Sequence, residues 1–105
     1  MHHAWQKFFL AVTELVLLEG VGDVCSRLKS AYCDHLQILR LEELPTDLRE
    51  DFDWIVRMLT RRQPRWEGDT KLVASLKQMR NRTGANFAKK IFDVYRSLEE
   101  KRLAP

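Results

Sequence analysis

The sequence predicts an all-α fold, a compact bundle of four to five helices in a single helical domain spanning residues 1–105. Three observations predict it. Apolar residues recur at spacings of three and four along most of the chain, the mark of a buried helical face. No segment alternates apolar and polar residues over a useful length, as a half-buried strand would. Four glycines and three prolines in 105 residues are too few for a turn-rich all-β protein. A composition of 45% apolar and 31% charged residues suits a packed globule rather than a disordered chain.

The first helix is expected over residues 4–19. Trp5, Phe8, Phe9, Val12, Leu15 and Val16 form its main stripe. Leu10 and Leu17 lie roughly 120° around the helix at ~100° per residue. A second apolar side makes this helix central in the bundle or gives it an oligomer contact. Gly20 and Gly22 end it. The second helix is expected from Gly22 or Asp23 to Leu39, with Asp23 as N-cap and Val24, Leu28, Ala31, Tyr32, Leu36 and Leu39 as its stripe. Pro45 disfavours helix for the residue before it and suits a helical first turn, so a third helix starts at Pro45 or Thr46. Its stripe is Leu48, Phe52, Ile55 and Leu59, widened by Val56, with Trp54 and Met58 on a flanking side. Acids crowd its first half and Arg57, Arg61 and Arg62 its end, an order that complements the helix dipole.

Residues 60–71 are expected to form a loop broken by Pro64 and Gly68, with Asp69 capping a short fourth helix over residues 70–79. Leu72, Val73, Leu76 and Met79 would face inward. A fifth helix is expected over residues 81–102, with Phe87, Ala88, Ile91, Val94, Tyr95 and Leu98 as its core side. Gly84 falls near its beginning, where glycine costs less than in a helix interior.

The patterns Arg27-Leu28, Ala31-Tyr32 and His35-Leu36, then Leu44-Pro45, Leu48-Arg49 and Phe52, and finally Met79, Ala88, Ile91 and Tyr95 resemble a group of small uncharacterised all-helical bacterial proteins. The resemblance covers most of the chain. It implies a bacterial, single-domain helical protein and no activity. In such proteins the residues after Met79 read as an acidic capping sequence. Here they are Arg80-Asn81-Arg82-Thr83-Gly84, which makes this end unusually basic.

Charge is unevenly spread. Residues 1–54 hold 5 Lys/Arg against 10 Asp/Glu, net −5, and residues 55–105 hold 13 against 5, net +8. Either the basic half meets a polyanion, or the two halves face each other. Cys25 and Cys33 are eight residues apart on one predicted helix, ~12 Å at ~1.5 Å per residue, too far for a disulfide. Free, buried thiols in a reducing compartment are the expectation. The apolar run of residues 8–18 is shorter than the ~20 residues that span a bilayer, and it contains Glu14. It also lacks the flanks of a signal peptide. A soluble, cytoplasmic protein without membrane contact is therefore expected.

Two constellations compete as the site. The first is basic: Arg61, Arg62, Arg65, Trp66, Lys71, Lys77, Arg80 and Arg82, a candidate polyanion or partner contact in which the arginines and lysines hold phosphates and Trp66 stacks on a base. Arg57, Lys89 and Lys90 extend the same basic run. A helix-turn-helix centred on Gly84 fails, because it would place Arg80 where a small residue is wanted and Lys90 where a buried aliphatic one is wanted. The second is apolar: Leu10, Leu17, Trp54 and Met58, a candidate oligomer contact, joined by Phe92. No HExxH, CxxC or Glu-x-x-His occurs, and no glycine-rich phosphate loop, so no enzyme, cofactor or metal is expected. Asp51 and Asp53 point to different sides of a helix, and His35 stands apart from Cys33. The leading expectation is a non-enzymatic protein–protein interaction module, a homo-oligomer or small subunit of a larger assembly. The alternative is a nucleic-acid-associated protein acting through its basic half.

Overall fold

The computed structural model describes the chain apart from residues 18–22, 65–67, 69, 78 and 105, and it includes residue 17 without its side chain. Five α-helices occupy the described residues: α1 His2–Leu17, α2 Val24–Asp34, α3 Thr46–Leu59, α4 Lys71–Lys77 and α5 Asn81–Leu103. Two single 3₁₀ turns, Leu36–Ile38 and Leu41–Glu43, link α2 to α3. There is no strand among the described residues, so the predicted all-α bundle is the observed architecture. No helix among them is long and apolar enough to cross a membrane.

α1 packs mainly on α5 and α2. The core side of α1 is Ala4, Phe8, Ala11 and Leu15, all buried. This line is narrower than the predicted stripe. Phe9 and Val16 lie one residue beyond it, ~100° around the helix, and stand in water at 44% and 68% exposure. Trp5 is half-buried; its indole N–H donates to a Glu99 carboxylate oxygen, and Arg102 lies 4.1 Å above its ring. That cluster ties the start of α1 to the end of α5.

α2 begins as predicted, with the Asp23 side chain accepting the Ser26 N–H at 3.0 Å. It ends five residues earlier than expected. His35 leaves the helical region at φ −130°, ψ −52° while its N–H still bonds the Ala31 carbonyl. The chain then resumes as a 3₁₀ turn, so Leu36 and Leu39 stay buried although the α-helix has stopped. A spacing of three fits both geometries, and the sequence stripe did not separate them. The expectation of buried thiols is corrected: Cys25 is half-buried and Cys33 is exposed, because Leu28, Ala31 and Tyr32 take the inner side of α2.

α3 follows its prediction closely, with Leu48, Phe52, Ile55 and Leu59 buried and Phe52 edge-on to Phe8 at 5.8 Å. α4 is a seven-residue segment. Its Val73 N–H is capped by the Thr70 hydroxyl at 3.1 Å; Asp69, the expected cap, lies outside the described residues. α5 buries Gly84, Phe87, Ile91, Val94 and Leu98, and contacts α1, α2 and α3. Gly84 has a stronger reason than its place near the helix start. A Cβ there would lie 2.7 Å from Val24 Cγ1, so the bare backbone lets α5 and α2 approach.

The acidic and basic halves do meet within the subunit, in part. Lys90 pairs with Asp51 at 2.9 Å and Lys101 with Asp47 at 3.0 Å, joining α5 to α3. Other cations are satisfied locally, Arg57 by Asp53, Lys89 by Asp93, Arg96 by Glu100 and Arg102 by Glu99.

Candidate functional site

Several cations among the described residues are left out of those pairings, and four of them are close in the fold. Among the described residues, Arg61, Arg62, Arg80 and Arg82 enter no ion pair, and all four are exposed. They are gathered by the fold at one end of the bundle. Arg61 and Arg62 follow the C-terminus of α3, and Arg80 is the residue at which α5 begins. Between them is a cavity of about 210 Å³ lined by Arg61, Arg62 and Arg80, with Ser75 and Thr83 as further polar groups and Met58, Met79 and Phe87 as an apolar floor.

Local hydrogen bonds hold this geometry. Ser75 is buried, and its hydroxyl donates to the Lys71 carbonyl at 2.9 Å while accepting the Arg62 N–H at 3.1 Å. The backbone of Arg62 is thereby fastened to α4 while its guanidinium remains exposed. Behind the floor, Trp54 stacks on Phe87 at 5.1 Å and carries Lys90 5.7 Å from its ring centre.

The start of α5 adds a second source of positive potential. No side chain caps it, and the first amide to bond back is that of Gly84, to the Arg80 carbonyl at 2.9 Å. The preceding N–H groups of Asn81, Arg82 and Thr83 therefore point out of the helix end, where the dipole also favours an anion. Three guanidiniums and an uncapped helix start surround one small cavity, a candidate anion site. Its volume falls below the ~300 Å³ of ordinary small-molecule pockets and suits one phosphate-sized group.

The structure does not unite the whole predicted basic set. Lys77 lines a neighbouring groove with Asp23, Lys29 and Leu76, and Lys71 lines a third beside Tyr32 and Thr60. Arg82 sits on the first turn of α5, outside the cavity lining. Arg65 and Trp66 lie outside the described residues. Of the apolar candidates, Leu10 is half-buried, and Trp54 and Met58 pack half-buried against the core, so both belong largely to the subunit itself. The side chain of Leu17 lies outside the described residues.

A second constellation went unread in the sequence. Glu14 on α1, Asp34 at the end of α2 and His35 just past it bring their ligand atoms within 4.8 Å of one another. His35 Nε2 is 3.1 Å from Glu14 Oε1. Burial and the hydrogen-bond contact with the Asp34 carboxyl push the Glu14 carboxyl up, against the opposing pull of His35. Burial pushes the half-buried Cys25 thiol up, away from thiolate character.

Compared with protein-family models, curated proteins and solved structures, the chain matches none of them.

Proposed function

We propose that this chain is a non-enzymatic interaction module that binds a polyanion, a nucleic-acid strand, through the arginine-lined cavity at the start of α5. The observation that carries this reading is the convergence of Arg61, Arg62 and Arg80, none ion-paired among the described residues, on one cavity at an uncapped helix start. Arg57, Lys89, Lys90, Arg96, Lys101 and Arg102 each pair with an acid, whereas these three keep their charge available for a phosphate. Arg82, exposed on the first turn of α5, adds a further cation two residues from Arg80. The free cysteines suit a reducing, cytoplasmic setting.

Titration with single-stranded and duplex oligonucleotides at two salt concentrations tests it. Three phosphate contacts on duplex give a log–log salt slope of about −2.7, or a roughly 40-fold loss between 50 and 200 mM salt. Replacing Arg61, Arg62 and Arg80 with alanine should abolish that slope with the melting curve intact. Absence of binding at low salt would sink the reading.

A second reading, self-association, is favoured by the exposed apolar side of α1 and α5. Phe9 and Phe92 flank Tyr95 at ring distances of 6.1 and 6.3 Å, and Val16 continues the same strip. An isologous dimer would bury this strip against its own copy. A monomer mass by light scattering at high micromolar concentration removes the reading. A dimer mass that Phe9→Ser and Phe92→Ser revert to monomer supports it.

A further inference from the structure

The geometry points to a divalent-metal site of zinc type, formed by Glu14, Asp34 and His35 where α1 meets the end of α2. The inference is independent of the arginine cavity, since its residues line no part of that cavity.

Four observations carry it. First, the donors are mixed: one imidazole and two carboxylates converge with their ligand atoms within 4.8 Å of one another. Such a set suits zinc and its neighbours rather than magnesium or calcium, which prefer oxygen alone. Second, the 3.1 Å between His35 Nε2 and Glu14 Oε1 is close to the edge of a tetrahedron built on bonds of ~2.0–2.1 Å, an edge of about 3.3 Å. The pair is spaced as two ligands of one ion are spaced.

Third, the cluster has unmet bonding capacity. Glu14 Oε2 and His35 Nδ1 are fully shielded from water and have no hydrogen-bond partner. Buried polar atoms without partners are uncommon and costly. An ion held by both oxygens of Glu14 would satisfy the first.

Fourth, the local charge favours a cation. Carboxylate oxygens of Glu14 and Asp34 lie within 4.8 Å of each other, and two like charges so close favour a cation between them. The end of α2 adds the negative pole of a helix at Asp34 and His35. Arg27, two turns earlier on α2, commits its Nη1 to the Leu15 carbonyl at 3.2 Å rather than to these carboxylates. Asp34 stands at the surface, so the site is open to solvent on that side.

The probe is the metal alone. Zinc chloride is titrated into the full chain by calorimetry, with magnesium chloride as a second arm. One zinc ion per chain is expected. Affinity should fall at least tenfold in His35→Gln and in Glu14→Gln and stay unchanged in His3→Asn, whose imidazole bonds Glu43 at the far end of α1. Magnesium should give no comparable binding. On the wild-type chain, the nitrogen resonances of the His35 ring should shift on adding zinc, a readout that does not depend on the variants folding. Absence of zinc binding would overturn the proposal. So would zinc affinity retained in Glu14→Gln, loss confined to His3→Asn, equal magnesium affinity, or an unmoved His35 ring.

Discussion

Gly84→Ala tests the packing that sets the start of α5, and its sign is open to a worked argument. Alanine is ordinarily worth up to ~1 kcal/mol over glycine in a helix interior, and less at the fourth residue of α5. Against this stands the crossing with α2. The added Cβ meets Val24 Cγ1 at 2.7 Å, Cys25 Sγ at 3.4 Å and Leu28 Cδ1 at 3.6 Å. Carbon atoms in contact sit ~3.5–4.0 Å apart, so Val24 must retreat by about 1 Å. Forcing a methyl into a packed site costs ~1–3 kcal/mol. Val24 is half-buried at the first turn of α2 and gives more easily than a central residue, which places the cost in the middle of that range.

The net expectation is a loss of about 1 kcal/mol, or roughly 4–8 °C in melting temperature for a domain near this size. Urea unfolding followed by circular dichroism, with an unchanged m value, measures it. Val24→Ala removes the clashing methyl, so in that background Gly84→Ala should be neutral or stabilising. A Gly84→Ala protein at least as stable as wild type would refute the reasoning. So would the same cost in both backgrounds.

Three other outcomes are expected. Phe8→Ala empties a fully buried position against Phe52 and should cost ~3–5 kcal/mol, a large share of a total of ~5–15, read as a lower urea midpoint. Asp23→Ala removes the acceptor for the Ser26 N–H and should lower the melting temperature, while Asp23→Asn, which also accepts, should restore most of it. Acidification should destabilise the fold. The Arg40 N–H with His3 holds Glu43 below its ordinary 4.5, Lys101 holds Asp47 below 3.8, and Arg102 with Trp5 holds Glu99 below 4.5. Folded-state values lowered in this way contribute stability above the unfolded values, and that stability is lost as pH falls through the folded ones. A melting temperature that declines below pH ~4.5, less steeply in Glu99→Gln, bears this out, and a flat profile contradicts it.

Much of the fold was legible because helix stripes are local. Leu48, Phe52, Ile55 and Leu59 on α3 are buried as their spacing required, and Asp23 caps α2 as its residue type suggested. The same local reading widened the α1 stripe by one residue on one side. It counted Phe9 and Val16 with Phe8 and Leu15, and periodicity alone has no means of saying how wide a neighbour is. It also ran α2 through His35, since Leu36 and Leu39 sit equally well on a 3₁₀ turn.

The candidate sites divide along the same line. That Arg61, Arg62, Arg80 and Arg82 are basic and clustered in sequence was evident, but ion pairing is a tertiary property. Asp51 neutralises Lys90 from a different helix, and nothing near Arg80 in sequence shows that it meets no acid among the described residues. Glu14 and His35 stand on separate helices with a turn between them, so no spacing motif announced their contact at 3.1 Å.

By itself, then, the sequence determined an all-α chain of four to five helices and most of their inner sides, because 3.6-residue periodicity, caps and prolines act over a few residues. Tertiary structure alone decided which cations were left unpaired among the described residues, that Gly84 stands at a close helix crossing, and that Glu14, Asp34 and His35 share one pocket of space. Those outcomes depend on distances between elements, which are set by how the helices pack and not by the order of residues along any one of them.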